Sequence, residues 1–316
     1  MVQVRYGSPD GLELREIEKP TIGDDGVLVR VHAASVNALD WHLMSRLPHL
    51  IGRLLRMSRT SIRGADLAGR VEAVGKDVTR VKPGDEVFGA GPGAFAEYSA
   101  TTEARVAPKP RNLTFEQAAA LPVAGLTALQ GLRDYARLQP GQRVIVYGAG
   151  GGVGTFAVQI AKALGARVTA VTRSGMVDVM RSIGADEVID YTREDFVQRP
   201  ERYDVLFDLG GDRPLGACRR VLVPNGIHVT AGAPAGLWRL VSRLAQSQLR
   251  SRLGGQRIGS FMAKVRHEDL LALKDLAEAG KLTPVIHRTY ALAAVPDAIR
   301  DVGTRGVRGK AVIGIC

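Results

Sequence analysis

Val144-Ile-Val-Tyr147, Gly148-Ala-Gly-Gly-Gly-Val-Gly154 and Thr155-Phe-Ala-Val-Gln-Ile-Ala161 follow one another without a break. Four apolar, β-prone residues lead into a glycine turn, and a run with helical character follows it. A strand that turns sharply into a helix leaves the first N–H groups of the helix without intrahelical partners. Those groups and the helix dipole suit a pyrophosphate, and glycines let the backbone approach it closely. The spacing is Gly148, Gly151, Gly154, the GxxGxxG form, with Ala149 at the usual first glycine of GxGxxG. A glycine turn alone is weak evidence. Here a strand precedes it, a helix follows and a second strand arrives at the right distance, which is the context a dinucleotide site requires.

Downstream, the alternation continues. Strands are predicted at Arg167–Thr172, Glu187–Ile189, Val205–Asp208 and Ile227–Ala231, separated by helices at Val153–Leu164, Met176–Ile183 and about Pro214–Leu222. Near-continuous apolar strands alternating with helices indicate a parallel sheet. Upstream the style differs. Val27–Val31 alternates apolar and polar residues, Leu67–Val74 continues in kind, and Lys82-Pro-Gly-Asp85 reads as a tight turn before a short strand at Glu86–Gly89. Thr114-Phe-Glu-Gln117 has capping-box spacing. After a helix at Glu268–Ala279, ended by Gly280, the chain returns to strand at Val285–Tyr290 and Lys310–Ile315, with a short helix at Val295–Val302 between them. The reading is an α/β chain of two domains.

Composition bounds the function classes. The 316 residues are 45% hydrophobic and 24% charged, so an apolar-poor disordered chain is excluded. Two cysteines, Cys218 and Cys316, allow neither a disulfide framework nor a Cys-rich zinc site, which suits a reducing cytoplasm. Met1–Gly11 has no apolar signal core, and the uncharged stretch Val144–Ala161 is broken by five glycines, so no stable membrane insertion is expected. The net charge is +11 and it is clustered. Arg213–Arg266 carries ten basic residues and no acid, and five arginines lie between Asp40 and Asp66. No helix-turn-helix, zinc-finger or RNA-recognition pattern accompanies them, so no nucleic-acid partner is expected. Along Gly236–Arg250, Arg239, Arg243 and Arg250 form one stripe, open to reading as a pocket wall, a subunit contact or a membrane surface.

The end of the second strand of such a unit selects the cofactor. An acid there binds the ribose 2′-OH of NAD. Here the strand ends in Thr172-Arg173-Ser174. Arg173 would pair with a 2′-phosphate and two hydroxyls can donate to it, so NADPH is the expected cofactor. The alternative for Arg173 is a surface residue over the adenine.

Several ordered segments resemble the medium-chain dehydrogenase/reductase superfamily, in its zinc-less quinone oxidoreductase branch, related to zeta-crystallin. They are Ala34–Asp40, Gly64-Ala-Asp-Leu-Ala-Gly69, Val81–Gly89, Phe95–Tyr98, Ala124-Gly-Leu-Thr-Ala128, the glycine turn, Ile183–Tyr191 and Arg308-Gly-Lys310. The resemblance implies a doubly wound Rossmann domain, residues 119–264, inserted in a GroES-like β-rich catalytic domain, residues 1–118 and 265–316. It implies a homodimer, with the strand near Arg257–Phe261 as the pairing edge.

The same resemblance implies the site. Asn37 sits beside the nicotinamide, with Asp40 as its companion in catalysis or as a holder of the local loop. Gly148, Gly151, Gly152, Val153 and Gly154 take the pyrophosphate. Thr172, Arg173, Ser174 and Tyr191 lie near the 2′-phosphate, and Lys310 near the nicotinamide end. Thr127, Gly232, Phe261 and Met262 complete the cofactor contacts. Trp41, His42 and Tyr98 are substrate-pocket candidates. Asn37 also reads as a strand-end residue bonding local backbone.

Zinc-dependent relatives carry metal ligands where this chain has Asn37, Ala65 and Ala124, so no metal is expected. Without a Lewis acid, the remaining acceptors are those that take hydride at a conjugated carbon, a quinone or an α,β-unsaturated carbonyl. Two alternatives stand: an NADP-linked alcohol dehydrogenase-like protein acting without metal, and a cofactor-binding protein using its basic surface on RNA or membrane.

Overall fold

The computed structural model describes residues 1–5, 7–45, 61–231 and 255–315. Gly232, the Gly236–Arg250 segment and the arginines from Arg46 to Arg59 lie outside the described residues. The chain divides into two units. One comprises Met1–Ala124, Val265–Gly280 and Pro284–Cys316; the other comprises Gly125–Lys264 and Lys281–Thr283.

Among the described residues, the second unit holds a six-stranded, all-parallel sheet. Its order is Glu187–Asp190, Arg167–Thr172, Arg143–Tyr147, Tyr203–Asp208, Leu222–Ala231 and Arg257–Phe261. The strand that feeds the glycine turn is therefore central, and the order reverses direction there, the switch point of a doubly wound sheet. Val144, Ile145 and Val146 are fully buried, as strands covered on both faces require. Helices Gly152–Ala163, Val177–Ser182 and Leu215–Arg220 follow their strands.

The first unit is β-rich and mostly antiparallel. Its larger sheet runs Ile286–Ala291, Lys310–Gly314, Gly26–Val36, Asp66–Val74, Glu86–Ala90 and Val106–Pro108, and Tyr98–Thr102 also pairs with Gly26–Val36. The long central strand Gly26–Val36 shares the core with Leu67, Val87, Phe95, Val106, Ala311 and Ile313. Thr114 caps the helix Phe115–Ala119 through a complete capping box with Gln117. Gly280, at φ +69°, closes the helix His267–Glu278.

Candidate functional site

In the β-rich unit, strand register assembles a polar cluster from distant sequence. Ser35 pairs with Asp66, and Val36 pairs with Ala311. The C-terminal end of the central strand thus meets the beginnings of both neighbours, and Asn37, Asp66 and Lys310 converge. Asp66 is fully buried and Lys310 is only 2% exposed, whereas Asn37 is half-buried. One oxygen of Asp66, Oδ2, accepts from Ser35 Oγ at 2.7 Å, from Asn37 Nδ2 at 2.8 Å and from Lys310 Nζ at 3.3 Å. The other, Oδ1, accepts from the Val123 N–H at 2.9 Å. Lys310 Nζ also donates to Asn37 Oδ1 at 2.8 Å and to the Val36 carbonyl at 3.2 Å. A buried carboxylate and a buried ammonium thus carry the bonds that such charges need.

Asp40 belongs to the same neighbourhood. It lies in the first turn of the helix Ala38–Ser45, and its carboxylate accepts from the Asn37 N–H at 2.8 Å. Burial pushes its pKa up to about 6, reinforced by the nearby Asp66 carboxylate and opposed by the Asn37 N–H and the Lys310 charge. Asn37, Asp40 and Lys310, foreseen from sequence, therefore come together. Asp66 lies inside the Gly64–Gly69 segment, where nothing local marks its role; its partners are 29 residues away, at Asn37, and 244 away, at Lys310. Of the pocket candidates, Trp41 packs on the core, where a Cβ on Gly303 would run into its ring, and Tyr98 lies under the Lys19 ammonium at 4.0 Å. His42 follows Trp41 on the same helix.

In the parallel-sheet unit, the helix Gly152–Ala163 starts at Gly151 with no side-chain cap. The N–H groups of Gly152, Val153 and Gly154 thus head the helix. Gly148 takes φ +86°, open to glycine at little cost. A Cβ on Gly154 would collide with the Gly148 carbonyl, so this glycine is demanded by packing of the turn on the helix. Gly151 is different. It is exposed, its φ is −86°, and a Cβ there would meet nothing nearer than 3.5 Å. The protein itself does not require glycine there; a group approaching the backbone from outside would. The turn therefore fits a dinucleotide.

At the neighbouring strand end, Thr172 is opposite Asp190, and the Tyr191 N–H donates to the Thr172 carbonyl at 3.0 Å. Thr172, Arg173, Ser174 and Tyr191 are thus neighbours, with Tyr191 44% exposed. Along its own strand this end is free of acid, but the next strand supplies one. Ser174 Oγ donates to Asp190 Oδ2 at 2.5 Å, and Thr192 Oγ1 to Asp190 Oδ1 at 2.7 Å. Those hydroxyls hold the Asp190 carboxyl below its usual range, and Arg193 stands 3.6 Å from it. Phe261 stacks on Tyr135, Met262 is 77% exposed, and Thr127 lies in the helix Pro122–Leu129.

Ala65 and Ala124 offer no donor and the Asn37 amide is engaged by Asp66 and Lys310, so these three residues do not fit a zinc ion. Among the described residues, one grouping of metal-ligand types occurs: Asp208, Cys218 and His228, all buried, with donor atoms within 4.8 Å of one another. It lies inside the parallel-sheet unit, where His228 Nε2 is 3.1 Å from Asp208 Oδ2 and the Gly211 N–H donates to Asp208 Oδ1. Among the described residues, no helix is long and apolar enough to cross a membrane.

Comparison with known proteins agrees with this architecture. Residues 23–111 match the family described as Alcohol dehydrogenase GroES-like domain, and residues 183–313 that described as Zinc-binding dehydrogenase. The 2-methylene-furan-3-one reductase of Solanum lycopersicum is 34% identical, over 98% of this chain and 76% of the relative. The solved quinone oxidoreductase of Coxiella burnetii superposes with a TM-score of 0.88 at 29% identity, covering 100% of this chain and 98% of that one. The quinone oxidoreductase of Escherichia coli, solved with NADPH, gives a TM-score of 0.84 at 25% identity, covering 99% and 98%. The chain belongs to the medium-chain dehydrogenase/reductase superfamily, in its quinone oxidoreductase branch.

Proposed function

We propose that this protein is a zinc-independent, NADPH-preferring reductase of quinones or α,β-unsaturated carbonyls. The observation that carries the reading is the start of the helix Gly152–Ala163, with no side-chain cap, beneath an exposed Gly151 whose backbone an external phosphate group can approach. A bound nicotinamide supplies a hydride to a conjugated carbon of the acceptor. The Gly148–Gly154 turn holds the pyrophosphate. Arg173, with Thr172, Ser174 and Tyr191, faces the adenosine ribose. Asn37 serves the nicotinamide end, with Lys310 behind it, and Thr127, Phe261 and Met262 make further cofactor contacts. The names of similar proteins, a furanone reductase and quinone oxidoreductases, support the acceptor class. The proposed setting is the cytoplasm, as a homodimer with a small-molecule partner.

Asp190 tempers cofactor choice. Its charge opposes a 2′-phosphate, while Arg173 favours one and Arg193 offsets the acid. A charge-assisted pair contributes roughly 1.5–3 kcal/mol, about ten- to a hundredfold in affinity. The expected NADPH preference lies at the lower end of that span; Arg173→Ala erases it and Asp190→Asn enlarges it. One panel tests the whole reading: NADPH and NADH oxidation with quinones, enals, enones and aldehydes, before and after chelator treatment. Turnover of quinones or enones that survives chelation is expected. Aldehyde-only activity would favour the alcohol dehydrogenase-like alternative, and tight NADPH binding without any turnover would favour the binding protein.

A further inference from the structure

We infer that Asp66 and Lys310 act as positioning residues: they lock the Asn37 carboxamide so that the one group it can offer strongly to a ligand is an Nδ2–H donor. This rests on the reductase reading above and assigns roles within its site.

Protons and lone pairs decide how the amide sits. A lysine ammonium has three protons and no acceptor. Lys310 spends all three, on Val36 O, Asn37 Oδ1 and Asp66 Oδ2. At 2% exposure it has neither a proton nor a surface for a cofactor, so its influence reaches a ligand only through Asn37. An asparagine amide has two N–H donors and one oxygen. Here the oxygen faces an ammonium and one N–H faces a carboxylate. Turning the amide by 180° would set NH2 against NH3⁺ and oxygen against carboxylate, two repulsive contacts in a buried setting. Orientation is therefore fixed by charge. What remains on the half-buried side chain is the second N–H, polarised by a cation on its own carbonyl.

Such a donor suits a carbonyl oxygen, whether that of the nicotinamide carboxamide or that of the acceptor as negative charge develops on it during hydride transfer. A donor already aimed costs no reorganisation when that charge appears. Asp66 adds rigidity, because Ser35 Oγ and the Val123 N–H fix the carboxylate itself. The cluster thus forms a chain of command in which two ionised groups orient one neutral amide.

A double-mutant cycle tests this. Hydride transfer is followed by stopped flow at saturating NADPH in the native protein, Lys310→Met, Asn37→Ala and the double variant, with NADPH affinity measured by fluorescence titration. Lys310→Met is expected to slow transfer about tenfold or more when Asn37 is present, and less than about twofold in the Asn37→Ala background. A loss in NADPH affinity would assign the donor to the nicotinamide carboxamide; a loss in rate at unchanged affinity would assign it to the acceptor. Equal factors in both backgrounds, or a folded Lys310→Met at native rate and affinity, would overturn the inference. If Lys310→Met does not fold, Asn37→Asp replaces the donor with an acceptor at constant shape; native activity in that variant would refute the role. If no acceptor is turned over by native protein, the reductase reading fails separately. The side-chain amide of Asn37 then reports directly by ¹⁵N NMR, with one slowly exchanging proton expected, and two fast ones overturning the lock.

Discussion

Asp40 shows how a single residue trades stability for placement. Its carboxylate fixes the Asn37 N–H at the start of a helix, yet burial raises its pKa to about 6. An unfolded aspartate releases its proton near pH 4. Between those values the folded state holds more protons than the unfolded one, so stability falls as pH rises through the window and stays reduced above it. Two units correspond to about 3 kcal/mol. Asp40→Asn keeps an oxygen for the same N–H without a charge to desolvate. It is expected to be more stable than native protein by about 1–2 kcal/mol at pH 7.5, after allowing for the weaker neutral bond, with the difference shrinking towards pH 4. Urea denaturation at both pH values checks this, and a variant less stable at pH 7.5 would contradict it. Sequence exposed Asp40 only as a neighbour of Asn37. Its burial, like the hub role of Asp66, comes from strands far away in the chain and has no local signature.

At the scale of elements, the strand, turn and helix from Arg143 to Ala163 were legible because every level agreed: apolar strand, glycine spacing, uncapped helix start. What the pattern did not distinguish is why each glycine is there. Gly154→Ala drives a methyl into two carbonyls of the turn, those of Gly148 and Ala149, so it should cost stability by roughly 1–3 kcal/mol as well as cofactor. Gly151→Ala meets nothing closer than 3.5 Å and should lose at most about 1 kcal/mol, the cost of alanine at an N-cap, while weakening NADPH binding about tenfold or more, since its methyl occupies the approach to the phosphates. Thermal melts and cofactor titration separate the two; native affinity in Gly151→Ala would show that no ligand approaches that backbone. The acid beside Ser174 is hidden from the sequence for a related reason. The rule for the second strand looks along one strand, whereas parallel pairing of Thr172 with Asp190 brings the acid in from the next.

For the molecule as a whole, the return to strands after the helix at His267 signalled an interrupted domain, and the sheet joins Lys310–Gly314 to Gly26–Val36 accordingly. The other sheet raises the question of assembly. Among the described residues, its last strand is Arg257–Phe261, paired on one side with Leu222–Ala231. An unpaired edge offers a row of N–H and C=O groups, which proteins protect with charge, proline or a partner. This edge has one charge, Arg257, no proline, half-buried Ile258 and Phe261, and an exposed Met262 directly after it. Protection by a second copy, strand to strand about a twofold axis, satisfies both chains with the same surface. Light scattering is expected to give twice the chain mass. Ser260 is exposed, so Ser260→Lys adds a charge to the edge without touching the core. It should shift the protein towards monomer, more strongly at low salt, where two like charges across a twofold axis are least screened. A native protein that stays monomeric at high concentration, or a Ser260→Lys variant that dimerises as tightly as native at low salt, would remove this strand from the interface.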